Sequence, residues 1–123
     1  MLYKVTQRAN PLNREEKKFY AEPSWTREMN LKGLCTLISN ACSINASDVR
    51  AVIEALIFQL PREVMNGTKI RLDDFGIFKL SFRSQGQEKE SDVDAGKISN
   101  LHLIFTPSPE LKETLSKTQF SKR

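Results

Sequence analysis

The sequence predicts an α+β domain. Two consecutive stretches carry apolar residues at helical spacing, the chain then switches to a period of two, and a proline-started helix follows. In order, the elements read ββ-αα-βββα, with no internal repeat. A chain of 123 residues is one domain by default, and 39% hydrophobic residues make a small core. A small core is often completed by a second subunit.

The segment up to Arg27 differs from the rest of the chain, and we read residues 1–27 as a β extension of a domain at 28–120. Tyr3, Val5 and Gln7 alternate with Lys4, Thr6 and Arg8, the pattern of a short strand. A polar stretch from Ala9 to Lys18 holds Asn10-Pro11 and the cluster Arg14-Glu15-Glu16-Lys17-Lys18, and reads as a long loop. Phe19-Tyr20-Ala21 is a second β-prone run, halted at Pro23. A lone hairpin is marginal in water, so this one must dock on something. Tyr20 and Trp25 read as cover for its sheet rather than as platforms for a base.

The first helix starts at the N-cap Asn30 and carries Leu31, Leu34, Leu37, Ile38, Ala41 and Cys42 at helical spacing. The second has the cap Asn45, with Asp48 three residues on and Ile44 placed to pack on Val49. Val49, Val52, Ile53, Leu56, Leu60 and Val64 form one face, which Ala51, Ala55, Ile57 and Phe58 broaden. Such a wide face serves both the chain's own sheet and another subunit. Pro61 is expected to kink this helix before Gly67 ends it.

From Thr68 the period is two. Ile70 and Leu72 oppose Lys69 and Arg71, and Asp73-Asp74-Phe75-Gly76 is a turn. Phe78, Leu80 and Phe82 then point inward, with Lys79, Ser81 and Arg83 outward. The chain is polar from Gln85 to Asn100, after which Leu101, Leu103 and Phe105 alternate with His102 and Ile104. Ser108 caps the last helix, Pro109 opens it, and Leu111 and Leu115 anchor it.

A formal charge of +4 permits an acidic partner such as nucleic acid without requiring one. No apolar run has the roughly 18–20 residues of a membrane helix, and the start Met1-Leu2-Tyr3-Lys4-Val5-Thr6 has no secretory stretch. The expectation is a cytoplasmic protein without a membrane partner. Cys35 and Cys42 sit two helical turns apart, about 10 Å along a rigid axis, so they do not pair with each other. They read as buried free thiols. With one histidine and no CxxC, no metal site is expected, and no Ser-His-Asp set or Gly-rich phosphate loop points to an enzyme, a cofactor or a small-molecule substrate.

From about Leu31 to Leu115 the chain resembles the HU/IHF family of bacterial nucleoid DNA-binding proteins. The resemblance rests on the helical hairpin, Gly67-x-x-Ile70-x-Leu72, the turn Asp74-Phe75-Gly76-Ile77-Phe78, Phe105-x-Pro107, and Leu111-Lys112 in the last helix. The start Tyr3-Lys4-Val5, with Asn10-Pro11 and Lys18-Phe19-Tyr20-Ala21, is similar to the N-terminal extension of an HU-like subgroup. The resemblance implies an IHF-like fold: an intertwined homodimer whose helices form a base, and whose three-stranded sheets form a saddle with long β-arms. The saddle and arms would hold double-stranded DNA by phosphate and minor groove, without sequence preference, in a nucleoid-associated, DNA-condensing role. The arm would fall at about 83–100. Lys69, Arg71, Lys79 and Arg83 on the outward strand face, Lys89 and Lys97 in the arm, and Lys112 in the last helix are the implied DNA contacts. Arg8, Arg14, Lys17 and Lys18 are further contacts from the basic extension.

The arm departs from the family pattern. Arg83, Lys89 and Lys97 face four carboxylates, Glu88, Glu90, Asp92 and Asp94, so its net charge is negative. The family's Arg-Asn-Pro tip is missing, with no proline between Pro61 and Pro107. Val93 and Ile98 are the only apolar wedges available there. This leaves two expectations. DNA contact moves toward the saddle and the extension, or the module is a dimeric structural or protein-binding one that has lost strong DNA binding.

Overall fold

Side-chain caps set most element boundaries. Asn30 Oδ1 accepts from the Gly33 amide at 2.9 Å and starts α1 (Leu31–Ala41). Asn45 Oδ1 accepts from the Asp48 amide at 2.9 Å and starts α2 (Ala46–Met65), with Asp48 favourably placed in the first turn. The hydrogen-bonded helix continues through Pro61, whose missing N–H leaves the Ile57 carbonyl without its helical donor. Gly67, at a φ of 86°, then turns the chain out of the helix. Ser108 Oγ accepts from the Leu111 amide at 3.0 Å and starts α3 (Pro109–Ser116).

The computed structural model describes every residue from Met1 to Arg123, as a mixed α+β chain with three helices and two small sheets. The first sheet contains β1 (Leu2–Asn10) and β2 (Asn13–Ser24), antiparallel across a tight turn at Pro11-Leu12. The long loop expected between Ala9 and Lys18 is therefore mostly strand. Asn10 Oδ1 accepts from the Leu12 amide and Asn13 Oδ1 from the Glu15 amide, which closes the turn locally. Both faces of this ribbon's outer half are in water, so its strands need no apolar alternation and their charges resemble a loop.

The chain's last residues complete this sheet. β6 (Ser121–Lys122) lies parallel to β1 beside Leu2 and Tyr3. The Met1 ammonium donates to the Gln119 carbonyl at 2.8 Å, and the Arg123 guanidinium donates to the Ser24 hydroxyl at 2.8 Å. Ser24 is the one polar side chain among the buried residues.

The second sheet has the order β3-β4-β5, from β3 (Ile70–Leu72), β4 (Gly76–Ser84) and β5 (Ile98–Pro107), all antiparallel. Its apolar face is built around Ile70, Phe78 and Phe105 in register, and α2 packs on β3 and β4. The rings of Phe75 and Phe78 stack on Phe105 at 5.0 and 4.7 Å. Asn100, at a φ of 56°, sits where the β4–β5 register slips by one, so β5 does not keep one unbroken alternation.

The two strands part at Ser84 and Ile98. The β-arm expected at about 83–100 is paired only at its base, through Arg83–Ser99 and Ser84–Ile98. Beyond it, Glu90–Asp92 and Ala95–Lys97 form single 3-10 turns, the second capped by Asp94 Oδ1 on the Gly96 amide at 3.0 Å. Asp, Ser, Gly and Glu are poor strand formers and good turn formers, which explains the folded-back segment.

Only six of the 123 residues are buried, and Cys35, Val49, Leu60 and Val64 are the hydrophobic ones. Cys42 caps α1 in the open, contrary to the expectation of two buried thiols. Val52, Ile57 and Phe58 of α2 remain 67%, 59% and 53% exposed, so the expected broad face is largely uncovered in a single chain. Trp25 is 79% exposed and covers no sheet within the chain.

Candidate nucleic-acid interface

Strand alternation gathers the central cations. Arg71 lies opposite Ile77, and the same register carried one step outward sets Lys69 beside Lys79. Because side chains alternate across the pleat, Lys69, Arg71, Lys79 and Arg83 share the sheet face opposite Ile70, Phe78 and Leu80. Ser81, His102 and Thr106 complete that face with hydrogen-bonding groups, and Ile77 and Ile104 lie between them. Lys69 and Lys79 also border one hollow, floored by Val64, Leu80 and Phe82. None of the four cations is in an ion pair, so their charge is free for an outside anion.

The sheet's turn is tied to α3. Ser108 donates its hydroxyl to the Asp74 carbonyl, and its amide donates to the Phe75 carbonyl at 3.0 Å. Gly76 fits here because of close approach as well as conformation. Its φ is 157°, and an added Cβ would overlap the Phe105 ring and lie 2.5 Å from the Thr106 carbonyl oxygen. Arg71 shares an open cleft with Asp73, Asp74, Ser108 and Glu110 at this end, so carboxylates interrupt the positive face there. Lys112, on α3, is exposed and outside that cleft.

In the 3-10 segment, Lys89 is exposed and Lys97 is half-buried beside Gln85, whose amide donates to the Lys97 carbonyl at 3.0 Å. Glu88, Glu90, Asp92 and Asp94 make no ion pair and stay as open negative charges around these two lysines. The strand register thus groups Lys69, Arg71, Lys79 and Arg83 on one face, with Lys97 opposite Gln85 just beyond Arg83, and does not bring Lys89 or Lys112 into that group.

The extension's cations divide into two kinds. Arg8 is paired with Glu22 and lies 5.6 Å from the Tyr20 ring centroid. Hydrogen bonds from the Arg8 guanidinium hold the Glu22 carboxyl below the usual carboxylate range. Lys18 lies 3.8 Å from Glu16. Arg14 and Lys17 have no partner and are exposed. Sequence reasoning passed over Lys122 and Arg123, which the tail strand brings beside β1, because a two-residue strand leaves no periodic signal.

The chain matches, over residues 1–122, a family described as an HU domain fused to wHTH, Ig, or glycine-rich motif. No curated protein matches it. Among solved structures it is similar to a candidate bacterial DNA-binding protein from Bacteroides vulgatus, at 17% identity and a TM-score of 0.63. That match covers 98% of this chain and 47% of the other, so this chain spans about half the length of that protein. A second similar structure is Anabaena HU in a cocrystal with DNA, at 19% identity and a TM-score of 0.57, covering 73% of this chain and 100% of that one. At these identities the likeness is one of fold.

Proposed function

The chain belongs to the HU-HIG family of HU domains fused to other motifs, and from that premise we propose that it binds double-stranded DNA with little sequence preference. The observation that carries this reading is the shared sheet face of Lys69, Arg71, Lys79 and Arg83, with every cation unpaired. Cations spaced along a pleated face meet phosphates, and phosphate contact is indifferent to sequence. The cocrystal of Anabaena HU with DNA, which shares the fold, supports the same partner.

In this reading the active unit is a homodimer, in which two such faces form one saddle. The uncovered α2 residues Val52, Ile57 and Phe58 support it, since a monomer rarely leaves so much apolar surface in water. Lys112 and the unpaired Arg14 and Lys17 extend the positive field. Arg8 and Lys18 contribute less, because each already faces a carboxylate. Lys89 and Lys97 contribute little within their acidic segment. The role is architectural and nucleoid-associated: many weak phosphate contacts, with DNA condensed rather than read.

An anisotropy titration on a random duplex tests this at about 50 mM salt, because non-specific Kd values of roughly 10⁻⁴–10⁻⁶ M at physiological salt tighten as salt is lowered. Binding that weakens as salt rises is expected, and no binding at micromolar protein would overturn the reading. A second reading, a dimeric structural or protein-binding module, is favoured by the open carboxylates of Glu88, Glu90, Asp92 and Asp94. It is the conclusion to draw if the titration fails while the dimer remains intact.

A further inference from the structure

His102 is the only histidine of the chain, and it stands among the cations of the β3-β4-β5 sheet. It lies directly across from Ser81, so Lys79 and Arg83, on either side of Ser81 along β4, flank it diagonally on the same face. An irregularity in β5 makes this placement possible. Between the pairs Ser81–His102 and Arg83–Ser99, β4 has Phe82 alone where β5 has both Asn100 and Leu101. The extra residue lets Ser99 and His102 share one face, and Asn100 takes it up with its φ of 56°.

The same bulge orients the ring. His102 Nδ1 lies 2.8 Å from the Asn100 carbonyl oxygen. A carbonyl oxygen only accepts, so Nδ1 is the nitrogen that carries the hydrogen of the neutral imidazole. Nε2 is then the bare nitrogen, on an exposed side chain that no carboxylate pairs with. A proton taken up at Nε2 creates a charged N–H donor, the kind of group a phosphate oxygen accepts from. The charged groups on this face are Lys79 and Arg83 beside the ring, then Lys69 and Arg71 farther along it. β5 is the edge strand, and its own residues on this side, Ile104 and Thr106, carry no charge. Asp73, Asp74 and Glu110 border the cleft with Arg71 at the turn end, and the carboxylates of Glu88 to Asp94 follow the point where the strands part.

We propose that His102 is a proton-dependent phosphate contact, whose Nε2, once protonated, grips the DNA backbone between Lys79 and Arg83. The contact rests on the reading of this face as a DNA-binding surface, and it adds a property that the four permanent cations lack. Lys69, Arg71, Lys79 and Arg83 hold phosphate at any physiological pH, whereas imidazole ordinarily changes its charge between about pH 5 and 8. A phosphate at hydrogen-bonding distance favours the protonated ring, so protonation and DNA binding strengthen each other. The bound duplex is therefore held more tightly as the pH falls below neutral, and binding takes up a proton.

Anisotropy titrations of the full chain on a random duplex, at about pH 8 and about pH 5.5, bracket the range in which imidazole changes charge. The wild-type protein should bind more tightly at the lower pH, by at most about tenfold per pH unit for each proton taken up. Its slope of log K against log salt should also steepen there, by about 0.9 for each His102 that meets a phosphate. His102→Gln is neutral at both pH values and should lose both effects, while matching the wild type at the higher pH. His102→Arg is charged at both and should bind at either pH as tightly as the wild type does in acid. Every other titrating group is common to the three proteins, so the difference between them reports position 102 alone. An equal pH response in the wild type and His102→Gln would overturn the contact and leave the DNA reading in place, and so would a wild type without a pH response. No binding by any of the three at either pH would overturn the DNA reading, and the contact with it.

Discussion

Single residues on the β3-β4-β5 sheet divide into those that hold its shape and those that give it charge, and separate substitutions distinguish them. Lys79→Glu with Arg83→Glu removes two unpaired cations and leaves the apolar face as it is. DNA affinity is expected to fall by a similar factor on every duplex sequence, and the slope of log K against log salt to flatten by about 0.9 for each phosphate that is no longer neutralised. A weakening confined to one sequence would show that these residues read bases instead. Gly76→Ala acts on shape. Both the backbone angle and the neighbouring Phe105 and Thr106 atoms oppose a Cβ, so a destabilisation of about 1–3 kcal/mol is expected in thermal or urea unfolding. The cations were legible in the sequence because strand alternation is a rule of period two. The pairing of Arg8 with Glu22 was not, because it crosses a hairpin whose tight turn at Pro11-Leu12 is hidden among charged residues that resemble a loop.

Among the elements, the helices were the most legible, since Asn30, Asn45 and Ser108 each cap the helix their position predicts. The N-terminal ribbon was the least legible. Its outer half buries nothing, and without burial there is no apolar period to read. Ion pairing across the strands therefore matters more to this ribbon than to the other sheet, and that gives it a pH dependence. The Glu22 carboxyl is held below its ordinary range, so the folded ribbon binds a proton less readily than the unfolded chain. The resulting stabilisation is fully present above the ordinary carboxylate pKa and is lost as pH falls through the lowered value. NMR titration should find the Glu22 midpoint below the ordinary glutamate range, with the Arg8 and Tyr20 signals moving at that same midpoint. Arg8→Ala should return Glu22 toward the ordinary range, since the Arg8 hydrogen bond is the largest cause of the shift.

For the whole molecule, the small hydrophobic fraction foretold a small core, and six buried residues are fewer than a stable chain of this size keeps to itself. A second copy on the α2 face is the remedy our reading requires. Sedimentation should give about twice the 14.1 kDa chain mass, and Val52→Glu, which puts a charge on the uncovered face, should shift the protein toward monomer or the unfolded state. The distribution of charge across that dimer also bears on what happens to DNA. The formal charge of +4 separates into a sheet face of free cations, an extension whose Arg8 and Lys18 are already balanced, and a turn segment of open carboxylates. Bending a site of 20–30 base pairs by 40–90° costs roughly 1–6 kcal/mol, which must be offset by contacts that only the bent duplex makes. Those contacts would have to come from beyond the saddle, where this chain has Glu88, Glu90, Asp92 and Asp94, no proline, and strands that separate at Ser84 and Ile98. Phosphates drawn around the saddle would meet that negative segment, and no rigid wedge is present to open a base step. Bound DNA should therefore stay close to straight. Fluorescence transfer between the ends of a short labelled duplex should change little on saturation, and a large rise in transfer would show that the acidic segment reorganises to grip DNA.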